Sequence, residues 1–448
     1  MNRALSAPAR QLGFWMCLAL VIGNMIGSGF FLLPATLAPF GWNGVAGWII
    51  TTAGALCLAF VFARLARAYP QAGGPYAFSR LAFGPFTAFV VAWSYWVSMW
   101  VGNVAIATGV VAPLATLAPG ITPYSAVITL ALVWTLTAIN CFGAKTVGKI
   151  QLVTTILKFL PLAAVAVLTI LVLAGGGGEA APELRASDLR FSGGTGIAAA
   201  AVLTLWSFLG LESATVPAER VENPTRNIPR ATFIGVIVTG LVYTFVCSSV
   251  ALLMPAEQVA HSGAPMAEFI RAHWGGPAAT LIALFAAIAA FGTLNGWVLM
   301  QGELPWAMAK DGVFPAWLAK LSRYGTPARA HIFASLLLTI VMAFNYTRSM
   351  ADLFGFLILL ATTASLVAYV VCSLAAVKLG VGRKSVPIFL VAALFSLWAI
   401  WGSGAEAMVW GLVLLLSGIP IYFVMTRFNS SAAIPPAAAP AAPPGSSA

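Results

Sequence analysis

Twelve long apolar stretches follow one another along this chain, and they constrain the fold more than any other feature of the sequence. A helix that crosses a hydrocarbon layer of roughly 30 Å needs about 20 apolar residues. The stretches lack the alternation over about ten residues that marks strands of a membrane barrel, so we predict helices. The predicted spans are 14–36, 41–66, 84–115, 124–141, 148–174, 195–217, 230–254, 279–308, 328–346, 350–376, 386–402 and 405–426.

The composition excludes a water-soluble fold, because 60% of the residues are hydrophobic and only 8% are charged. Soluble domains carry roughly 25% charged residues. We predict an N-terminal segment, 1–12, a transporter-sized helical domain, 13–427, and a tail, 428–448. The tail is rich in Pro, Ala and Ser, which predicts disorder. No small-residue cleavage site follows the first apolar run, so no signal peptide is predicted.

The basic residues are distributed asymmetrically across the predicted loops. With the N-terminus inside, eighteen of the 23 lie on the cytoplasmic side, and the exceptions are Arg185, Arg190, Arg271 and Arg348 outside and Lys158 within a span. Cytoplasmic loops of membrane proteins carry such an excess. The bias predicts a multi-pass protein with an even number of spans and both termini in the cytoplasm. It also explains the net charge of +11 without any nucleic-acid partner.

The cysteines and histidines indicate neither a metal site nor a catalytic nucleophile. All five cysteines fall singly inside predicted spans. His261 and His273 fall in a predicted outer loop, and His331 begins a predicted span. We therefore expect no metal, cofactor or catalytic residue.

Two polar, glycine-containing interruptions fall inside predicted spans. The first is 23–29 (GNMIGSG) in span 1, and the second is 207–213 (SFLGLES) in span 6. An unpaired backbone group in hydrocarbon costs several kcal/mol, so such segments survive where they line a cavity. Close helix packing through small residues is the alternative explanation.

The two interruptions lie five spans apart, which is the spacing expected of an inverted-repeat transporter. The predicted repeats are 13–174 and 195–376, followed by two further helices within 386–427. A broken helix frees N–H groups at one half and C=O groups at the other. These groups suit the carboxylate and the ammonium of an α-amino acid.

Four segments carry a family resemblance that covers about residues 12–427: GNMIGSGFFLLP at 23–34, PQAGGPYAF at 70–78 with Gly84 beyond, TLWSFLGLESA at 204–214 and ENPTRNIPRA at 222–231. They resemble the pattern of the amino acid-polyamine-organocation superfamily, and within it the basic amino acid and polyamine antiporters, especially the arginine/agmatine type. The resemblance implies an all-α membrane protein of twelve transmembrane helices with a 5+5 inverted repeat (LeuT-like), discontinuous helices 1 and 6, and two C-terminal helices. It also implies an amino acid or polyamine substrate and a homodimer.

The resemblance implies roles for individual residues. The implied substrate-binding residues are Asn24, Met25, Ser28, Gly29, Ser98, Met99, Asn103, Ile106, Trp206, Leu209, Trp297 and Ala361. The implied gating residues are Tyr95, Trp206, Glu212, Trp297 and Tyr369, and the implied coupling residues are Lys158 and Glu212.

Several of these assignments keep an alternative. Trp206 and Trp297 would close over a cationic substrate, since an indole face attracts cations, yet tryptophans also form interfacial belts. Asn103 shares a predicted helix face with Tyr95 and would bind the distal end of the substrate, or else pair with another helix. Glu212 would act as a protonation-sensitive part of the inner gate, or pair with a tyrosine or cap freed backbone.

Two further intramembrane charges bear on coupling and selectivity. Lys158 departs from the arginine/agmatine pattern, and its ammonium is expected to pair with freed carbonyls of span 1, which predicts sodium-independent transport. Glu303 would provide negative charge for a cationic substrate, or else face the cytoplasmic vestibule. Met99, Ile106 and Ala361 make the predicted site more apolar than guanidinium recognition requires, so the substrate stays open.

The sequence thus predicts an exchanger of a cationic amino acid for its decarboxylated amine. A proton-coupled or facilitated permease for a neutral or other amino acid remains an alternative. A channel would favour a continuous polar lining, which the spans lack. An enzyme would need paired catalytic groups, whereas Lys158, Glu212 and Glu303 lie on separate spans.

Overall fold

The computed structural model describes residues 10–175, 188–344 and 350–429, and they form a bundle of α-helices. In chain order the helices are α1 (Phe14–Met25), α2 (Ser28–Leu37), α3 (Trp42–Ala68), α4 (Pro75–Phe83), α5 (Pro85–Leu117), α6 (Ser125–Cys141), α7 (Ala144–Gly175), α8 (Ile197–Trp206), α9 (Pro224–Leu253), α10 (Ala256–Ala260), α11 (Pro265–Trp274), α12 (Gly276–Lys310), α13 (Ala328–Phe344), α14 (Met350–Lys378), α15 (Val386–Gly402) and α16 (Ala405–Asn429). No β-strand occurs in these ranges, and a single isolated bridge pairs Leu12 with Val221.

Nine helices within the described ranges are long and apolar enough to cross a membrane. Three shorter apolar helices, α1, α8 and most of α13, also coincide with predicted spans. The prediction of a helical, multi-pass membrane protein is confirmed.

The outward faces of the helices are apolar, as a lipid solvent requires. On α7, Val153, Ile156 and Leu160 are all more than half exposed, whereas Thr155 and Lys158 on the opposite face are buried. Polar side chains therefore point into the bundle, which is the inverse of a soluble helix. Helix α16 is largely exposed along its apolar length and lies at the edge of the bundle.

The centre of the bundle is built around α1 and α12. Helix α1 packs against α7, α9 and α12, while α12 also packs along α5. Helix α3 runs beside α9 and α8. Glycines on the buried faces of α12 and α9 let the helices approach closely: a methyl group at Gly292 of α12 would overlap Thr154 of α7, and one at Gly235 of α9 would overlap Val21 of α1.

Some predicted boundaries were wrong. Span 6 is predicted over 195–217 with an interruption at 207–213. Helix α8 ends at Trp206, directly before that interruption, but the chain then continues as turns and short 3₁₀ helices instead of returning to an α-helix. The segment 70–78 was drawn as a loop, yet α4 begins at Pro75, a residue whose missing N–H suits a first helical position. The outer loop with His273 contains α11.

The described structure reaches slightly beyond the predicted domain bounds at both ends. Helix α16 continues to Asn429, two residues past the predicted end of the domain, and the remaining predicted tail, 430–448, lies outside the described residues. Of the N-terminal segment, 1–9 also lie outside them. Leu12 is buried, and the backbone N–H groups of Gln11 and Leu12 donate to the Arg220 carbonyl at 2.8 and 3.0 Å.

Candidate substrate cavity between two interrupted spans

The first interruption lies between α1 and α2, where only Ile26 and Gly27 leave helical geometry. A helix leaves its first N–H donors without helical partners. In the first turn of α2 the Phe30 N–H donates to the Gly27 carbonyl at 3.2 Å. A methyl group at Gly27 would press against the Thr293 side chain, so this position favours glycine. The predicted break in span 1 is therefore present, and it is narrow.

The carbonyl groups around this break are held by side chains from other helices. The Lys158 ammonium of α7 donates to the Gly23 carbonyl at 2.5 Å and to the Thr293 hydroxyl at 2.8 Å. The Thr293 hydroxyl lies 2.8 Å from the Ile26 carbonyl. The predicted contact between the Lys158 ammonium and a freed carbonyl of span 1 is therefore confirmed. The ammonium also complements the negative end of the α1 dipole.

The second interruption follows Trp206, the last residue of α8. Residues 207–212 form successive turns, with the Leu209 N–H donating to the Trp206 carbonyl at 3.2 Å. Gly210 has φ +100°, a conformation that side-chain-bearing residues rarely adopt. The predicted break in span 6 is confirmed, and it is longer than the break in span 1.

Two side chains join the interruptions to each other. The Tyr243 hydroxyl of α9 lies 2.6 Å from the Met25 carbonyl and 3.2 Å from the Ser207 carbonyl, so its single proton serves both breaks. The Asn24 amide donates to the Ser213 hydroxyl at 2.8 Å. Neither Tyr243 nor Ser213 was among the predicted site residues, because a tyrosine or serine on a span carries no sequence signal for its partner.

A small cavity of about 20 Å³ lies between the two interruptions. Its lining residues are Asn24, Met25, Gly27, Gly29, Ile106, Trp206, Ser207, Leu209, Thr293 and Trp297. Seven of them belong to the predicted substrate-binding set, whereas Gly27, Ser207 and Thr293 were not in it. Gly27 and Ser207 lie in the two predicted interruptions, so a wider reading of those segments would have included them. Thr293 lies on α12, one turn before the predicted Trp297.

The two predicted tryptophans lie on this cavity. Trp297 is 7% exposed, and its indole N–H donates to the Asn24 carbonyl at 3.2 Å. The Trp206 indole covers Gly29 so closely that a methyl group at Gly29 would overlap it. The Trp297 ring is thus oriented by the break in span 1, and the Trp206 ring rests on the first turn of α2.

Other predicted substrate-binding residues lie away from the lining of the cavity. Asn103 is fully buried and its amide donates to the Gln301 side chain of α12 at 2.7 Å, which is the helix-to-helix pairing kept as its alternative. The Ser98 hydroxyl donates to the Tyr95 carbonyl at 2.7 Å. Met99 and Ala361 are buried in helix contacts. The side chain of Ser28 lies outside the described part of the structure, although its backbone begins α2.

Tyr95, Glu212 and Tyr369, three of the predicted gating residues, meet in one buried cluster. The hydroxyls of Tyr95 and Tyr369 donate to the two carboxylate oxygens of Glu212, that of Tyr369 at 2.5 Å. All three residues are fully buried, and they join α5, α14 and the turns after α8. The cluster contains a carboxylate held by two neutral donors, so its hydrogen bonding changes when the carboxylate gains a proton.

Glu303, for which two roles were open, forms an ion pair with Arg220 at 2.5 Å. Both side chains are almost completely buried, and the Arg220 guanidinium also donates to the Gly325 carbonyl at 2.7 Å. Nearby, Asp311 pairs with Arg80 and accepts a hydrogen bond from Tyr76 at 3.0 Å. Burial and the Asp311 charge raise the pKa of the Tyr76 hydroxyl, so it remains a donor.

No group of three His, Cys, Asp or Glu residues with metal-binding geometry occurs within 10–175, 188–344 and 350–429. The chemistry available at the cavity is instead that of backbone dipoles, hydroxyls, an amide and indole faces. Next to these groups, the buried ammonium of Lys158 donates to the Gly23 carbonyl.

The fold and the site define a multi-pass helical membrane protein whose central cavity lies between two interrupted spans. A match to the amino acid permease family covers residues 12–400, and the chain belongs to this family. The chain is 33% identical over 370 residues to a cadaverine/lysine antiporter of Escherichia coli (strain K12), covering 81% of this chain and 82% of the relative. It is 29% identical over 464 residues to a putative arginine/ornithine antiporter of Bacillus subtilis (strain 168), covering 94% and 98%, and 26% identical over 442 residues to the putrescine transporter PotE of Haemophilus influenzae, covering 95% and 99%.

Proposed function

We propose that this protein is a sodium-independent secondary transporter that exchanges a cationic amino acid for its decarboxylated amine by alternating access. The observation that carries the proposal is the cavity between two interrupted spans, with Trp206 and Trp297 on its wall. The relatives are named as a cadaverine/lysine antiporter, a putative arginine/ornithine antiporter and a putrescine transporter, and these names support the substrate class.

We further propose the complete architecture. Twelve spans form two inverted repeats of five, within 13–174 and 195–376, and two further helices complete the domain at 427. Both termini lie in the cytoplasm of a bacterial cell, because the basic residues concentrate on that side of the membrane. The inverted relation of the repeats brings the breaks of spans 1 and 6 to the same depth.

The proposed binding mode divides the substrate among three kinds of group. The N–H groups at the start of α2 hold the carboxylate of the amino acid, because a helix N-terminus favours an anion. Carbonyls at the ends of α1 and α8 accept from its ammonium. The indoles of Trp206 and Trp297 face the cationic side chain. An amine product lacks the carboxylate and keeps the last two contacts, so one set of groups serves both exchange partners.

The proposed gate on the cytoplasmic side is the cluster of Tyr95, Glu212 and Tyr369. It closes the path from the cavity to the face that carries the Glu303–Arg220 ion pair. Alternating access then requires the hydrogen bonds of this cluster and the Glu303–Arg220 ion pair to open. Lys158 supports sodium-independent exchange, since its ammonium already donates to a backbone carbonyl that a metal ion would otherwise bind.

A facilitated permease for a neutral amino acid is the second candidate. The described lining of the cavity contains Met25, Ile106 and Leu209 and no carboxylate. Such a lining stabilises an apolar side chain by removing its surface from water.

Counterflow in proteoliposomes distinguishes these functions. Vesicles loaded with unlabelled lysine, arginine, ornithine, cadaverine, putrescine or agmatine receive external radiolabelled lysine or arginine, with choline replacing sodium. An exchanger takes up label only when the lumen contains a partner, and the flux is unaffected by choline. Uptake of a neutral amino acid into empty vesicles supports the second candidate. Linear, non-saturable flux, or loss of flux in choline, contradicts the proposed mechanism.

A further inference from the structure

A groove of about 420 Å³ lies between the end of α3 and the start of α9, on the side that the charge distribution predicts to face the cytoplasm. The groove and the substrate cavity have no lining residue in common. The groove is lined by Phe60, Ala63, Arg64, Arg67, Pro229, Arg230, Phe233 and Ile234.

Three arginines converge on this groove. Arg64 and Arg67 lie three residues apart on α3, and Arg230 lies in the second turn of α9. In the part of the chain that the structure describes, none of the three forms an ion pair with an acidic side chain. The excess of basic residues on cytoplasmic loops explains why arginines occur at these helix ends. It does not explain their convergence from two helices on one concave surface.

The remaining lining is apolar and faces outward. Phe233 is 39% exposed and Ile234 is 41% exposed, although both lie on an apolar span. Phe60 lies under the Arg64 guanidinium, whose carbon is 5.1 Å from the ring centroid. The groove therefore combines a cationic end with an apolar wall that continues along the lipid-facing surface of α9.

We propose that this groove binds one anionic phospholipid of the cytoplasmic leaflet. Its phosphate lies among Arg64, Arg67 and Arg230, because guanidinium groups donate to phosphate oxygens in a fork geometry. An acyl chain lies along Phe60, Phe233 and Ile234. Basic pockets between transmembrane helices on this side of a membrane suit anionic headgroups. A zwitterionic headgroup fits less well, since its own cation would meet the three arginines.

Binding of short-chain lipids to the purified full-length protein in a neutral detergent tests the proposal. Thermal-shift titrations and native mass spectrometry compare dioctanoyl phosphatidylglycerol, dioctanoyl phosphatidylcholine and inorganic phosphate. We expect saturable stabilisation and a retained adduct with phosphatidylglycerol only. Equal effects of phosphatidylcholine would overturn the role of the charge, and equal effects of inorganic phosphate would show a free-anion site rather than a lipid site.

Two variants test the location. The first replaces three residues, as Arg64→Gln, Arg67→Gln and Arg230→Gln, and its matched control removes the same charge elsewhere on this side, as Lys320→Gln, Arg323→Gln and Arg329→Gln. Because the three groove arginines contact the phosphate directly in the proposed complex, the first variant should weaken phosphatidylglycerol binding at least about tenfold, whereas the control, which changes no residue of the groove, should not. Equal weakening in both would overturn the proposed site.

The second variant, Ala63→Trp, fills the groove and keeps every charge. It should abolish the phosphatidylglycerol adduct, and it provides the decisive measurement if the triple variant fails to fold. Undiminished binding to Ala63→Trp would overturn the groove as the binding surface. Lipid-free thermal stability close to that of the unaltered protein shows that the loss arises at the groove.

Discussion

Replacing Lys158 by methionine isolates the contribution of the buried ammonium. Methionine has a similar length and keeps the apolar stem packed, while the charge and its hydrogen bonds disappear. In the structure the ammonium lies 2.5 Å from the Gly23 carbonyl, at the end of α1 that leads into the first interruption. The substitution therefore tests whether this ammonium holds the break in its binding-competent geometry.

The magnitude follows from the contacts. A hydrogen bond from a charged group contributes about 1.5–3 kcal/mol. The Gly23 carbonyl keeps the Thr293 hydroxyl at 2.7 Å, so the lower figure of about 1.5 kcal/mol applies. A loss of that size shifts the population of the competent conformation and weakens apparent substrate affinity by about tenfold.

The assay is equilibrium binding of the transported amino acid to purified protein, with counterflow in proteoliposomes beside it. Lys149→Met is the matched control, because Lys149 is exposed on the same helix. We expect affinity to fall about tenfold for Lys158→Met and to stay unchanged for Lys149→Met. Unchanged affinity in Lys158→Met, or the same loss in both variants, would refute the role assigned to the ammonium.

Three further predictions concern the interruptions and the proposed gate. Glu212→Gln keeps an acceptor for the two tyrosines but cannot titrate, so it should flatten the pH profile of exchange; a profile identical to that of the unaltered protein would contradict this. Tyr243→Phe keeps the aromatic ring and its packing but removes the hydroxyl proton that the two breaks share. It should lower the free energy of unfolding by about 1 kcal/mol, which fluorescence-detected melting would show as a lower melting temperature. Gly210→Ala places a side chain at φ +100° against Asn24 and should reduce exchange far more than Gly84→Ala, where φ is +85° and the space is open. Equal effects at the two glycines would mean that backbone strain alone, and not the crowded break, limits function.

Much of the helical architecture was predictable, because it follows from properties that are local along the chain. The length of an apolar run decides whether a segment crosses the bilayer, and glycine with polar neighbours indicates where a span is interrupted. The breaks near Gly27 and Gly210 were located in this way. The turns and 3₁₀ helices that replace the helical continuation predicted up to 217 were not located, since they are stabilised by the Glu212 and Asn24 side chains reaching other elements.

The amino-acid sequence by itself determined the class of protein, its helical multi-pass character and the two interruptions, because each depends on residues close together in the chain. The tertiary structure decided the partners. It paired Asn103 with Gln301 across two helices, Glu303 with Arg220, and Tyr243 with both breaks. The physical reason is that a buried polar group must find a partner somewhere, while the rotation and packing of distant helices determine which one comes within reach.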